Sequence, residues 1–338
     1  MPPASPISIL LPVRNAQHTV AATLHSIQGQ TCPDWELIII DDGSADGTSA
    51  ILATFAAHDP RIIVHRQPPW GIAEALIIGS QQCRGEFISR MDADDLMSPT
   101  RLEQQRAYLL AHPHIGLVSS RVRFGGTEAG YAAHVDWLNS LLTPESIRLR
   151  RFVEAPVAHP SVMFRRALLA QHGGYRSGGF PEDYELWLRW LQAGVQFGKV
   201  DAELLTWNDP PQRLSRQDPR YSVEAFYRMK CLYLAAWLKE NVSPHREIWL
   251  WGAGRITRRR FDSLENTHGM HITGFIDVDP SKRGHHRDGR PVRMADDLPN
   301  LSHAFILAGV GARGAREKIH RHLTQRGWQE GHDFLLGA

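Results

Sequence analysis

GEFISRMDADDLMSP, residues 85–99, is a short apolar run that passes straight into acid. EFISRM (86–91) has the β-branched and aromatic content of a buried strand, and Asp92-Ala93-Asp94-Asp95 follows with no spacer. Upstream the same scheme recurs. ISILLPV (7–13) reads as a strand ending at Arg14-Asn15, with a helical pattern through Ile27. WELIII (35–40) stops at Asp41-Asp42-Gly43-Ser44, a helix is expected over 46–58, and RIIVH (61–65) is the next strand. Residues 71–83 read helical, a further helix runs from Pro99 to His112, and IGLVSS (115–120) is again strand. Strands alternating with helices at this spacing predict an α/β fold with a doubly wound, mainly parallel sheet. Ligands of such sheets sit outside the carboxyl ends of the strands, where all three polar clusters fall.

From 121 to about 240 the pattern is less regular. It holds PSVMFRRALL (160–169), the turn His172-Gly173-Gly174-Tyr175, an acidic helix start at Pro181-Glu182-Asp183-Tyr184-Glu185, and a long helix over about 219–240. A second α/β unit opens at Glu247: EIWLWGAGRITRRRFDSL reads strand, glycine turn, helix, and HAFILAGVGARGAREKI repeats the scheme. The expected division is a first domain over 1–240 and a smaller, Rossmann-like domain over 246–338. Within the first, 1–120 is one half, 121–210 a second half and 213–243 a helical linker.

The 338 residues suit about two domains at ~150 residues each. Hydrophobic residues make up 42% and charged ones 22%, which excludes a disordered chain. Thirty-eight Lys and Arg against 36 Asp and Glu leave a net charge of +2, too small for a dedicated nucleic-acid binder. No apolar run approaches the ~20 residues of a spanning helix, and the first ten residues carry no secretory signal. Cys32, Cys83 and Cys231 are widely spaced, against a disulfide framework or a cysteine zinc site. The expected location is cytoplasmic, with peripheral contact at the inner membrane face left open.

Two carboxylates at i and i+2 beyond a strand, Asp92 and Asp94, can reach one hard cation together with phosphate oxygens. Asp95 and Ser98 also suit the cap of the helix that starts at Pro99. In DDGSADGT a carboxylate can accept from a base or ribose, while Asp46 or Ser44 suits a helix N-cap.

In order and spacing, ISILLPVRN, QTCPDWELIIIDDGSADGT (30–48) and GEFISRMDADDLMSP resemble the family 2 glycosyltransferases of the GT-A fold. The resemblance covers about residues 6–120. It implies transfer of a sugar from a nucleotide diphosphate sugar to an acceptor hydroxyl, with Mn²⁺ or Mg²⁺ on the diphosphate. It places Pro12 and Asn15 in the nucleotide pocket, Asp42 at the base with Asp41 beside it, Asp92 at the ribose or sugar, and Asp94 on the metal, Asp92 assisting. Many members carry Asn where this chain has Ile77. More weakly, HPSVMFRRALL with GGY and FPEDYELWLRWLQAG (180–194) resembles the acceptor segment. There Asp183 is the catalytic base, with Glu182 supporting it, and the configuration inverts. The acceptor implied is a glycan or a lipid-linked glycan.

His159 is expected at the start of a strand, facing diphosphate or acceptor, or else structural. Arg213, in RLSR after TWNDPPQ, suits a diphosphate. Trp187, four residues after Asp183, shares its helix face, under an acceptor sugar or in the core. In the second unit Gly252, Gly254 and Asp277 have the layout of a dinucleotide turn, with Thr257 at the third glycine position. Two other functions stay open: a nucleotidyltransferase or sugar-nucleotide-modifying enzyme, and a non-catalytic nucleotide-sugar-binding protein. Base, sugar, linkage and oligomeric state are not read from the sequence.

Overall fold

The computed structural model describes residues 6–210 and 213–338. The chain divides into two compact units, residues 1–148 with 156–218, and residues 149–155 with 219–338.

In the first unit the strands are β1 (Ile7–Val13), β2 (Trp35–Asp42), β3 (Ile62–Gln67), β4 (Phe87–Arg90), β5 (Leu96–Met97), β6 (Ile115–Phe124), β7 (Met163–Arg165) and β8 (Gln196–Trp207). They form one sheet in the order β3-β2-β1-β4-β7-β6-β8-β5. Every residue of β1 and β2 is buried, as expected for strands covered on both faces. Helices Val20–Gln28, Thr48–His58, Ile72–Gln82 and Arg101–Ala111 link the strands up to β6. β3, β2, β1 and β4 are mutually parallel. The chain walks from β1 to β2 to β3, then returns to place β4 on the other side of β1. That reversal makes the β1/β4 boundary a switch point, where the loops after β1 and β4 part and leave a crevice.

Beyond β4 the sheet is mixed. β7 runs antiparallel to both β4 and β6, and β5 antiparallel to β8. A strand of three residues is too short to carry a period, so the sequence shows nothing of its direction. His159 does not begin a strand: Pro160 fixes a 3₁₀ turn, His159–Ser161, and the strand starts at Met163.

Gly43, just after β2, has φ +68°, and a Cβ there would lie 2.8 Å from the Pro69 ring. The loops after β2 and β3 are interlocked at that point. Gly43→Ala is expected to destabilise the protein by about 1–3 kcal/mol through left-handed backbone strain and the overlap, read as a lowered urea midpoint.

In the second unit β9 (Glu247–Trp251), β10 (Ile272–Asp277), β11 (His286–Arg287), β12 (Arg290–Met294), β13 (Ala304–Ala308) and β14 (Phe334–Leu336) lie in the order β11-β12-β10-β9-β13-β14. All pairs are parallel except β11 with β12. Helix Val223–Asn241, expected to close the first domain as a linker, belongs to this unit, its N-terminus capped by Ser222. The reason is burial. Met229, Leu234 and Leu238 are covered, and Lys230 is 3% exposed with Nζ donating at 2.9 Å to the carbonyls of both Val153 and Gly337.

Candidate functional site

The rim at the ends of β1 and β2 is stitched from main-chain and short polar groups. Asn15 adopts φ +51°, a conformation Asn tolerates better than most residues. Its N–H donates to Ser44 Oγ at 3.0 Å, and its Oδ1 accepts from the Ala45 N–H at 2.9 Å. Asp41, 1% exposed, accepts from the Ser44 N–H at 2.9 Å and the Ser49 hydroxyl at 2.5 Å. Asp42, 3% exposed, accepts from Gln67 Nε2 at 2.7 Å and from the N–H groups of Trp70 and Gly71, each at 2.9 Å. Asp41 is thus committed to its own turn. Asp42 holds the next loop in place, and its Oδ2 has Arg14 at 3.9 Å. Pro12 lies in β1 itself, buried opposite Ile40.

At the end of β4, one carboxylate oxygen each from Asp92, Asp94 and Asp95 lies within 4.8 Å of the others. Burial, reinforced by the charge of Asp92, pushes the Asp94 carboxyl up to about 6. Burial and both neighbouring acids push Asp95 well above the carboxylate range. Asp95 is not the helix cap expected from its position. It is fully buried, its Oδ1 accepts from the Asn208 N–H at 2.8 Å, and its Oδ2 has no hydrogen-bond partner among the described residues. Asn208 Nδ2 also donates to the Asp94 carbonyl at 2.6 Å, so the end of β8 clamps the acidic loop. Crowded carboxylates with an orphaned buried oxygen are a donor set that fits a hard divalent cation.

Arg213 stands beside this cluster, and its charge draws both Asp94 and Asp95 down against burial. Its guanidinium lies over the rings of Trp207, at 4.6 Å, and Tyr131, at 4.8 Å, with Asp209 at 3.6 Å. Arg216 instead belongs to the short helix Leu214–Gln217 and bonds Asp209 at 2.6 Å.

Asp183 lies in the first turn of helix Glu182–Gln192. Its Oδ1 accepts from the Tyr184 N–H at 2.7 Å. Burial pushes its carboxyl up and Asp92 adds to that, while Arg90 pulls it down. Glu182 is 2% exposed beside it. His159 Nε2 is 2.8 Å from the Tyr175 hydroxyl, and burial together with Arg90 pushes the imidazole well below its ordinary pKa. A neutral His159 is a wall residue with one hydrogen-bond partner. Trp187 is fully buried against Trp190, Phe197 and His159, with ring centroids 6.0, 5.7 and 5.8 Å away. It is a core residue and no platform for a sugar, because its helix presents that face to the sheet.

Arg90 and Tyr175 escape the sequence reading. Arg90 is 1% exposed and ion-paired with Asp92. The available signal was an arginine inside a strand otherwise read as buried, since such a charge persists only with a partner. Tyr175 is 5% exposed and had been read only as part of a turn.

In the second unit Gly252 has φ +124° at the turn after β9, and Gly254 precedes helix Arg255–Asn266. Asp277 Oδ2 accepts from the Ala253 N–H at 3.0 Å and from Lys282 Nζ at 2.9 Å, and its Oδ1 from the Asp279 N–H at 3.0 Å. Asp277 thereby ties the glycine turn to the end of β10. Among the described residues no helix is long and apolar enough to cross a membrane.

The model of the family described as glycosyl transferase family 2 matches residues 8–173. The O-antigen biosynthesis glycosyltransferase WbnJ of Escherichia coli is 26% identical over 240 residues, 70% of this chain and 90% of its own. The amylovoran biosynthesis glycosyltransferase AmsE of Erwinia amylovora is 27% identical over 192 residues, 55% of this chain and 70% of its own. Among solved structures, the mannosyltransferase PcManGT from Pyrobaculum calidifontis, in complex with GDP-Man and Mn²⁺, superposes with a TM-score of 0.53 at 18% identity, over 71% of this chain and just under two thirds (66%) of its own. With the parallel sheet, its switch point and the acidic loop in place, residues 8–173 match the family 2 glycosyltransferases and the first unit has the GT-A fold.

Proposed function

We propose that the first unit transfers a sugar from a nucleotide diphosphate sugar to an acceptor hydroxyl with inversion at the anomeric carbon. The observation that carries the reading is the cluster of the Asp92, Asp94 and Asp95 carboxylates just beyond β4. Asn15 and the loops held by Asp41 and Asp42 border the nucleotide. Asp94, with Asp92 and Asp95 near it, is the group to hold Mn²⁺ or Mg²⁺, which when bound supplies charge stabilisation to the diphosphate. Arg213, fixed over two aromatic faces, presents a further positive charge to the departing diphosphate.

Asp183 takes the proton of the acceptor hydroxyl as that oxygen bonds to the anomeric carbon, and the bond from that carbon to the diphosphate oxygen breaks with its electron pair leaving on the nucleotide diphosphate. A raised pKa makes the carboxylate a stronger base toward the acceptor hydroxyl. The E. coli and Erwinia relatives support an acceptor in surface polysaccharide synthesis, a glycan or its lipid-linked form. The bound GDP-Man and Mn²⁺ of the solved mannosyltransferase support the donor class and the cation. A nucleotidyltransferase is less well served, because LLPVRNAQ lacks the glycine-rich loop that chemistry needs. For the second unit we propose nucleotide binding at the Gly252–Gly254 turn, with Asp277 bracing the turn.

A thermal-shift screen of UDP-, GDP-, dTDP- and CMP-sugars tests the donor reading. At a hundred times its Kd a ligand stabilises by about 2.7 kcal/mol, or roughly 5–10 °C in Tm. One donor class should raise Tm in Mn²⁺ and lose most of that rise in EDTA. A rise indifferent to EDTA would remove the metal from the scheme, and no rise with any donor would remove the transfer.

A further inference from the structure

Arg90 is a buried charge at the site to which the transfer scheme gives no part. It occupies the last position of β4 with its main chain held both ways: its N–H donates to the Val162 carbonyl at 3.0 Å, and its carbonyl accepts from Arg101 Nη2 at 2.9 Å. A guanidinium stays charged and carries five donors, so burying it requires anionic company. That company lies on both sides. Nη1 pairs with Asp92 Oδ1, and the charge also acts on Glu182 and Asp183 at the start of the acidic helix. His159 and Tyr175, bonded to each other, stand in the same field. Arg90 Nε makes no hydrogen bond among the described residues. An Asp92 oxygen engaged by a buried arginine is not free for a cation, whereas the Asp94 carboxylate has no such partner among the described residues.

Resting on the glycosyl-transfer reading, we propose that Arg90 is a positioning residue that divides the acids of the site: it holds Asp92 back from the cation, leaving Asp94 as the principal ligand, and presents a fixed positive charge to Asp183. A purely structural arginine would leave metal affinity unchanged or weaken it when removed. A dividing arginine gives the opposite sign, since its loss frees one carboxylate and removes one repelling charge.

The test is Mn²⁺ binding, metal alone, by electron paramagnetic resonance on the full chain. Arg90→Met is expected to bind Mn²⁺ about tenfold tighter than the parent, and the gain to fall to about threefold or less when Asp92 is already Asn, the coupling a shared contact produces. With the donor picked out by the thermal screen, nucleoside diphosphate release by Arg90→Met should drop about a hundredfold while KM for the donor moves less than threefold. Arg90→Lys, which keeps the charge, should hold Mn²⁺ affinity within threefold and restore part of the turnover. Unchanged or weaker Mn²⁺ binding in a folded Arg90→Met overturns the proposal. Should that variant not fold, Arg90→Lys decides: affinity held with turnover down about tenfold supports it, and parental turnover overturns it. A parent chain that binds no Mn²⁺ fails earlier, at the metal site, and takes this division of roles with it.

Discussion

Asp183→Asn should lower sugar transfer about a thousandfold and leave the Kd of the donor within a few-fold of the parent. A positioned general base is worth roughly 10² to 10⁴ in rate. The amide keeps the shape of the carboxyl, so the helix start at Glu182 stays intact, but it cannot take a proton. The neighbouring Arg90 would lose an anionic partner, yet Asp92 remains to compensate it. The pH dependence follows from the same carboxyl. Burial raises its pKa above that of an exposed aspartate, so the base becomes protonated, and transfer falls, at a higher pH than an exposed aspartate would give. Single-turnover rates with donor saturating, measured across pH, check both statements. A parental rate in Asp183→Asn would strip this residue of its role.

Asp94→Ala should weaken donor binding at least about a hundredfold in Mn²⁺ and change it little in EDTA. A cation on a diphosphate supplies several kcal/mol of charge stabilisation, and most of that is lost with the ligand that holds it. The substitution also relieves a folded-state strain. Asp94 sits among like charges with its carboxyl pushed up to about 6, so its removal should leave the melting temperature of the unliganded protein unchanged or slightly higher. The two effects, a looser donor and an undiminished fold, separate a ligand residue from a packing residue in one titration and one melt. Equal donor affinity in Mn²⁺ before and after the change would rule Asp94 out as the ligand.

Much of the first sheet is legible in the sequence because its strands are covered on both faces. ISILLPV and WELIII are apolar but for Ser8 and Glu36, and β1 and β2 begin where they begin. The acids are legible because each follows such a run. β7 is not, since three residues give no period and Pro160 hides its start. Arg90 is not, since patterning treats arginine as surface, and only its burial and its pairing with Asp92 in three dimensions reveal its place. Trp187 shows the opposite failure. Its spacing from Asp183 is right for a shared face, but spacing cannot say whether that face meets a ligand or the core. The end of the first unit was set by periodicity at about 240. Burial of Lys230 and its neighbours moves the helix from Val223 onward into the second unit.

The backbone passes from one unit to the other three times, after residues 148, 155 and 218. The short excursion, 149–155, buries Phe152 and Val153, and Arg150 pairs there with Glu330. A gene cut after codon 218 would therefore express seven residues stripped of their cover, four of them apolar. The second unit is no detachable tail, and a lineage that gained or lost it by recombination would have had to rework an internal loop at the same time.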